Sequence, residues 1–293
     1  MLLVTMNLGK VHLLAGCPPC QGFSTVGSKN VSDLRNDLFH EFLRAVAELD
    51  PEYVLFENVS GFKRMYSGEA YKTLTIELNN LGYDFVSDIL NTCEYGIPQK
   101  RLRTILIGWK KNLNSVKLPE KSNYRWTLMD AISDIPALSN NDIKYHYECD
   151  PLNDYQEMLR GTSDILIGHD SSNYGVKMID LISKIPIRGS VQDLAPEFRP
   201  KSCFKNCYAR LDPDEPAPTI TRNFGTPSSS RCIHPVQNRA LSTFEGARLQ
   251  SFPDDYIFIG SKTSKNIQIG NAVPPLLGKA IGLEIMKNLQ KKT

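Results

Sequence analysis

Two cysteines in the stretch "AGCPPCQGFS" have the types and spacing most suited to chemistry. Cys17 and Cys20 flank a double proline, directly after the apolar run "VHLLAG". Proline fixes the backbone angle φ and disfavours a helix before it, so this turn is stiff. The pair is compatible with three kinds of chemistry: a redox dithiol, half of a metal site, or one nucleophile beside a bystander cysteine.

A carboxylate is predicted to lie near Cys20. Glu57 ends the strand-like run "YVLFENV", and "VHLLAG" is predicted to be a buried strand. The carboxyl ends of parallel strands form the binding crevice of an α/β sheet. If the two strands are neighbours, Cys20 and Glu57 converge although 37 positions separate them. A thiol with a carboxylic acid suits nucleophilic attack on a ring that must be protonated as it is attacked.

Two arginines follow in "IPQKRLRTILIG". Arg101 and Arg103 stand two apart at the entry to a predicted strand, so they are expected to face the same way. Their guanidinium groups can hold a carboxylate, a phosphate or a carbonyl oxygen. The alternative is a pair of surface arginines.

The elements that must position these residues alternate between strand and helix. The stretch "DLFHEFLRAVAELD" predicts an amphipathic helix with Phe39, Phe42, Leu43 and Val46 on one face. A second helix is predicted in "YKTLTIELNNLG", closed by Gly82, and two more strands in "DFVSDIL" and "TILIGW". Connections this short imply parallel crossover units, so the fold class is α/β.

The pattern weakens after Lys111 and returns near the C-terminus. Eight of the 18 prolines fall between Pro186 and Pro235, which indicates a second, loop-rich domain. The stretch "NAVPPLLGKAIGLEIMKNLQKK" predicts a strong helix that packs back on the first domain. We therefore predict a first domain of residues 1–112 plus 262–293, and a second of residues 113–261.

Composition narrows the class of protein. The 293 residues are 41% hydrophobic and 23% charged, with no run long enough for a membrane helix and no signal peptide. Seven scattered cysteines fit a reducing compartment, so we expect a cytoplasmic protein. Between Gln99 and Arg125, eight basic residues stand against Glu120 alone. Such an excess attracts a polyanion such as DNA, although a solvated surface is the alternative.

Five blocks of the sequence resemble the DNA cytosine-5 methyltransferases of bacterial restriction–modification systems. In chain order they are "PPCQGFS", "ENV", "QKRLR", "EGARLQSFPDDY" and "QIGNAVPPLLGKAIG". They follow the order of that family and span nearly the whole chain. The resemblance implies a Rossmann-like methyltransferase sheet with a smaller, loop-rich DNA-recognition domain. It also implies S-adenosylmethionine as the methyl donor and duplex DNA as the substrate, with the target cytosine flipped into a pocket.

The resemblance also implies a role for each matching residue. Cys20 would add to carbon 6 of the cytosine, and Glu57 would donate a proton at ring nitrogen 3. Arg103 would contact the base oxygen, and Arg101 would hold Glu57 in place. The implied cofactor contacts are Pro19, Asn271, Ala272 and Val273. The implied DNA contacts are Gln21, Ser24, Asn58, Arg222 and one of the two threonines Thr219 and Thr221, between which the sequence does not choose. Further arginines that are candidates for groove contacts are Arg199, Arg210 and Arg231.

The chain departs from the family pattern in three places, one of which is Phe244, where the fourth block commonly has arginine. Cys17 stands where the family usually has glycine, and it is expected to be a small buried side chain. Only "MLLVTMNLGK" precedes the first strand, where the family has a glycine-rich cofactor loop and two further strands. We expect the first strands of the sheet and most of the cofactor pocket to be missing, so that this chain alone binds S-adenosylmethionine poorly. The explanations are a misplaced start, a second chain that supplies the segment, or an inactive remnant.

Three alternative functions are open. A thiol–disulfide oxidoreductase would use Cys17 and Cys20 as its redox pair. A zinc-binding nucleic-acid module would join these two cysteines with Cys203 and Cys207, although no metal is expected in the cytosine methyltransferases. A DNA-binding protein without catalysis would keep only the basic recognition domain.

Overall fold

The computed structural model describes residues 9–19, 38–64, 68–201 and 207–289. The chain divides into two compact units. The first combines residues 1–91, 102–120 and 280–293, and the second combines residues 92–101 and 121–279. Compactness alone does not assign a role to a segment, so the functional domain boundaries given above stay a prediction.

The first unit is built on a four-stranded sheet in the order β1-β2-β5-β3. The strands are β1 (Leu13–Gly16), β2 (Tyr53–Val59), β3 (Tyr83–Asn91) and β5 (Leu102–Lys110). β1 pairs in parallel with β2, whereas β5 is antiparallel to both β2 and β3. The α/β class is confirmed, but the prediction that every strand joins through a parallel crossover is wrong for β5. Between β3 and β5 the chain has no α-helix, only a 3₁₀ turn (Thr92–Tyr95) and two residues of another sheet, and β5 runs between β2 and β3 in the opposite direction.

Two helices pack on this sheet. They are α1 (Leu38–Leu49) and α2 (Glu69–Asn80). The helix predicted at α1 is confirmed, and its predicted apolar face is buried in a core that also contains Val54, Phe56 and Leu106 from the sheet. Gly82 follows α2 with a φ of 85°, a value that favours glycine and allows the chain to turn into β3.

The first strand lies closer to the surface than its sequence suggests. β1 is at the edge of the described sheet, and its residues alternate between exposed and half-buried. The prediction of a fully buried strand is therefore wrong for these residues. Gly16 packs tightly against α1, because a Cβ atom there would lie 2.4 Å from the ring of Phe42.

The second unit contains short helices and long connections, as its proline content predicts. Its helices are α3 (Leu128–Ile132), α4 (Asp154–Arg160), α5 (Val176–Lys184), α6 (Thr243–Leu249) and α7 (Lys262–Asn271). Two short strands, β4 (Gln99–Lys100) and β6 (Ala217–Pro218), pair in parallel. The last helix, α8 (Pro275–Leu289), begins in the second unit, and its residues from Ala280 onward belong to the first.

A buried ion pair stabilises the start of α6. Ser242 caps the helix, and the side chain of Glu245 closes a capping box by accepting from the backbone amide of Ser242. Glu245 also forms two hydrogen bonds with Arg239, of 2.6 and 2.8 Å. The charge of Arg239 lowers the pKa of the Glu245 carboxyl well below its ordinary value despite burial.

Candidate active site

The carboxyl end of β2 carries the polar groups of the candidate active site. Gly16, the last residue of β1, pairs with Phe56, and Glu57 and Asn58 follow as the next residues of β2. The amide nitrogen of Asn58 donates to the backbone carbonyl of Pro18 at 3.1 Å. This bond joins β2 to the proline turn. The pairing of β1 with β2 confirms the prediction that the two strands are parallel neighbours. Cys20, Gln21 and Ser24 lie outside the described residues.

Glu57 forms an ion pair with Arg103 from the neighbouring strand. The Nε atom of Arg103 lies 2.9 Å from a carboxylate oxygen of Glu57, with 14% and 13% of the two side chains exposed. Arg103 pairs in register with Val59, two residues beyond Glu57. Burial lowers the pKa of Arg103 from its ordinary value, and the charge of Glu57 opposes this shift. The pair leaves an acidic and a basic group together at one end of the sheet.

Arg101 does not share this position with Arg103. Its guanidinium group is buried in the second unit and donates to the backbone carbonyls of Ile220, Gly270 and Ala272, at 2.9 to 3.1 Å. The expectation that Arg101 holds Glu57 in place is therefore corrected: the arginine paired with Glu57 is Arg103. The two-residue spacing misleads because Arg101 lies in the break between β4 and β5, which belong to different sheets.

Arg101 is part of a buried polar network in the second unit. The amide of Gln99 donates to the Gln250 side chain at 2.6 Å and accepts from the backbone amide of Ile220 at 3.0 Å. Gln250 in turn donates to the backbone carbonyls of Ile269 and Ala272. The network therefore fixes two segments of the second unit, one at Ile220 and one at Ala272. Sequence analysis assigned no role to Gln99 or Gln250.

The predicted DNA contacts Thr219, Thr221 and Arg222 adjoin the first of these segments. The hydroxyl of Thr219 donates to the backbone carbonyl of Lys100 at 2.9 Å, and that of Thr221 lies 3.3 Å from the hydroxyl of Ser230. Thr221 and Arg222 are exposed. Sequence analysis left the choice between the two threonines open, and the exposure of Thr221 favours it as the more accessible.

One of the four candidate groove arginines is corrected. Arg210 is buried and donates to four backbone carbonyls, those of Ile182, Ile185, His234 and Gln237. A guanidinium committed in this way stabilises the fold of the second unit and is not presented to a DNA groove. Arg222 and Arg231 are exposed.

The predicted cofactor contacts Asn271, Ala272 and Val273 adjoin the second segment. Asn271 is exposed, and Ala272 and Val273 are half-buried. The backbone carbonyl of Ala272 already accepts from Arg101 and Gln250, so this short segment is firmly held. An exposed amide beside apolar side chains fits the mixed polarity of an adenosyl group. Pro19 is exposed at the proline turn of the first unit.

Cys17 is exposed, and the expectation of a buried side chain is wrong. Partial burial of the thiol and the negative charge of Glu57 raise the pKa of Cys17 to about 12. A redox-active cysteine needs the opposite shift. Among the residues described, no group of three or more histidine, cysteine or acidic side chains has the arrangement of a metal site. Cys203 lies outside the described residues.

Comparison with known proteins defines the class to which this fold and site belong. The family described as C-5 cytosine-specific DNA methylase matches residues 4–287. The chain therefore belongs to the family of C-5 cytosine-specific DNA methylases, as its sequence blocks predict.

Individual relatives agree with this assignment. The chain is 33% identical to the type II methyltransferase M1.HphI of Haemophilus parahaemolyticus over 98% of its own length and 71% of the relative. It is 35% identical to the type II methyltransferase M.DdeI of Desulfomicrobium norvegicum, over 96% of this chain and 74% of the relative. A crystal structure of a prophage-encoded E. coli protein, described as a DNA modification methyltransferase, shares the fold. It has a TM-score of 0.76 and 24% identity, over 96% of this chain and 80% of that one.

These comparisons bring no support for a second chain that supplies a cofactor segment. The expectation of an incomplete cofactor pocket stays a prediction. None of the described helices has both the length and the apolar character needed to cross a membrane.

Proposed function

We propose that this protein transfers a methyl group to carbon 5 of cytosine in duplex DNA, with Cys20 as the nucleophile and Glu57 as the acid. The observation that carries the proposal is the Glu57–Arg103 ion pair at the carboxyl end of β2. β1, which leads into the Cys20 turn, is the parallel neighbour of that strand. In a sheet of this kind the carboxyl ends of the strands line the binding crevice. Under this proposal Cys20 supplies the nucleophile beside the acid Glu57 and the cation Arg103.

The chemistry follows from these side chains. The thiolate of Cys20 adds to carbon 6 of the cytosine, and Glu57 donates a proton to ring nitrogen 3 as the negative charge develops. Carbon 5 then has enamine character and takes up the methyl group. Loss of the carbon 5 proton to solvent restores the ring double bond and expels the Cys20 thiolate, and ring nitrogen 3 returns its proton to Glu57. Arg103 keeps Glu57 oriented through their ion pair and would donate to the oxygen of the base.

S-adenosylmethionine, which membership of the family implies, supplies an electrophilic methyl group when it is bound. We propose Pro19 and the segment Asn271–Val273 as its contacts. The rigid backbone at Ala272 supports this assignment, since a preformed segment loses little conformational entropy on binding.

We further propose that the target base is flipped out of the duplex, because a base within the stack does not expose carbon 6 to a thiol. Flipping costs about a few kcal/mol of unstacking energy. Gln21, Ser24 and Asn58 would contact the DNA near the flipped base. Thr221, in preference to Thr219, and Arg222 would contact the phosphate backbone from the second unit, and the exposure of both side chains supports this role. With this substrate we place the protein in the cytoplasm, as part of a restriction–modification system.

A methyl-transfer assay tests the proposal. Unmethylated DNA of high sequence diversity is incubated with the protein and S-adenosylmethionine, hydrolysed, and analysed for 5-methylcytosine by mass spectrometry. We expect 5-methylcytosine with the wild-type chain, none with Cys20→Ser, and a loss of about 10²- to 10⁴-fold with Glu57→Gln. Glu41→Gln, on the exposed side of α1, is the matched control and should retain wild-type activity. DNA binding by the wild-type chain without any 5-methylcytosine would refute the enzyme and favour a binding protein.

A further inference from the structure

An exposed turn of the second unit, residues 221–223, lies between two buried side chains. Ile220 and Phe224, on either side of it, are 2% and 1% exposed. The backbone amide of Phe224 donates to the carbonyl of Thr221 at 3.2 Å and closes the turn. Thr221 and Arg222 are both exposed. The turn therefore presents these two side chains to solvent from a backbone that is anchored at both ends.

Both backbone polar groups of Ile220 are bound by side chains from another part of the chain. Its amide donates to the side-chain oxygen of Gln99 at 3.0 Å, and its carbonyl accepts from Nη1 of Arg101 at 3.1 Å. This carbonyl belongs to the planar peptide group that leads into Thr221. The direction in which the turn begins is therefore fixed by Gln99 and Arg101.

The second terminal nitrogen of the same guanidinium binds the end of α7. Nη2 of Arg101 donates to the carbonyls of Gly270 and Ala272, at 2.9 and 3.0 Å. Carbonyls at the C-terminal end of a helix have no partner within the helix, so a cation there is favourable. The turn also contacts Gly270 directly, because a Cβ atom there would lie 2.5 Å from the backbone of Thr221 and Arg222. One guanidinium thus joins the turn to α7.

We propose that Arg101 is a positioning residue for DNA binding, whose guanidinium holds the turn of residues 221–223 against the end of α7 and so presents Thr221 and Arg222 to the phosphate backbone. The inference rests on the proposed function, since it takes these two residues as DNA contacts. Arg101 is itself only 1% exposed, so it acts through the turn and does not touch DNA. Lysine at this position keeps the charge, but its single nitrogen does not reach both segments as the guanidinium does.

The joint anchoring of the two segments is tested first without DNA, by native-state hydrogen exchange of the full chain in dilute urea, read for single amides by mass spectrometry. The hydrogen-bonded amides of Ile220 and Ala272 report the turn and the end of α7. In the wild type both should open with the same free energy and the same dependence on urea. Different opening free energies would overturn the inference, whether or not any Arg101 variant folds. In Arg101→Lys both amides should exchange about tenfold faster or more, with the amides of α4 unchanged. Equal acceleration in α4 would show that Arg101 only stabilises the unit, and would overturn the positioning role.

The effect on DNA binding is tested by a double-mutant cycle. Fluorescence anisotropy measures the affinity for unmethylated duplex DNA of random sequence at low salt. Arg101→Lys should weaken binding about fivefold in the wild-type background and less than about twofold in the Arg222→Gln background, because its effect passes through the turn.

Arg210→Lys is the matched control for this cycle. Arg210 is also buried and also donates to backbone carbonyls, but to those of other segments, so its effect should be the same in both backgrounds. Equal losses for Arg101→Lys in both backgrounds would overturn the positioning role. Joint opening of the two segments in a wild-type chain that binds no DNA would refute the proposed function and leave the joint anchoring by Arg101 supported.

Discussion

Gly270 is the glycine at which a single methyl group should disturb the second unit most. It lies near the end of α7, and a Cβ atom there would lie 2.5 Å from the backbone of Thr221 and Arg222. In an ordinary helix, replacing glycine by alanine stabilises the fold by about 1 kcal/mol, because alanine loses less backbone entropy. At Gly270 the added atom collides with backbone, which cannot rotate away as a side chain can.

The magnitude follows from these opposing effects. Overpacking costs about 1–3 kcal/mol, and we take about 3 because the neighbour is backbone. Subtracting the gain of about 1 kcal/mol in helix propensity leaves Gly270→Ala less stable than the wild type by about 2 kcal/mol. Gly278 is the matched control, because it also lies in a helix, α8, but has no other atom within 4 Å of its Cβ position. Gly278→Ala should be more stable than the wild type by about 1 kcal/mol.

Urea unfolding at neutral pH, followed by circular dichroism, measures both changes. The two variants should differ in free energy of unfolding by about 3 kcal/mol, with the same dependence on urea concentration. Gly270→Ala should also bind DNA less tightly, because Thr221 and Arg222 must move to accommodate the methyl group. A Gly270→Ala variant as stable as Gly278→Ala would refute the close approach of α7 to this segment.

Two further predictions concern buried charge in the second unit. Burial lowers the pKa of His234 from 6.5 to about 4. The contribution of the neutral imidazole to the free energy of unfolding is therefore complete above pH 6.5 and is lost on acidification towards pH 4. His234→Asn is the control, because asparagine keeps an acceptor but does not titrate. Between pH 8 and pH 5 the wild type should lose about 2 kcal/mol more free energy of unfolding than this variant. Parallel curves of unfolding free energy against pH would contradict this. Arg248 is buried and pairs with Asp134 and Asp254, so Arg248→Met should cost about 3–5 kcal/mol of stability by chemical denaturation. A loss below about 1 kcal/mol would show that the two carboxyl groups find other partners.

Much of the first unit could be predicted because its elements have clear periodicity. The apolar spacing in "DLFHEFLRAVAELD" and the run "YVLFENV" correspond closely to α1 and β2. The direction of β5 could not be predicted, since alternation along a strand is the same for parallel and antiparallel pairing. The short helix α7 was missed because only three of its residues are buried, which leaves no continuous apolar stripe.

The candidate site was predictable in its residues but not in all of its contacts. Glu57 and Asn58 stand in a recognisable block, whereas their neighbours depend on the register of strands about forty residues apart. The spacing of Arg101 and Arg103 predicted a shared face, and the resemblance gave Arg101 as the partner of Glu57, whereas the partner is Arg103. The chain leaves β4 before Arg101 and enters β5 after it, so the two-residue alternation does not hold. A strand break of one residue leaves no strong signal in the sequence.

The central claim is that Cys20, and not Cys17, forms a covalent bond to the target cytosine. Duplex DNA that contains 5-fluorocytosine tests it directly, because fluorine in place of the carbon 5 proton blocks the final elimination and traps the adduct. With S-adenosylmethionine present, the wild-type chain should form a denaturation-resistant protein–DNA complex that maps by peptide mass spectrometry to Cys20, and Cys20→Ser should form none. An adduct at Cys17, or no adduct with a wild-type chain that binds the same DNA, would contradict the account.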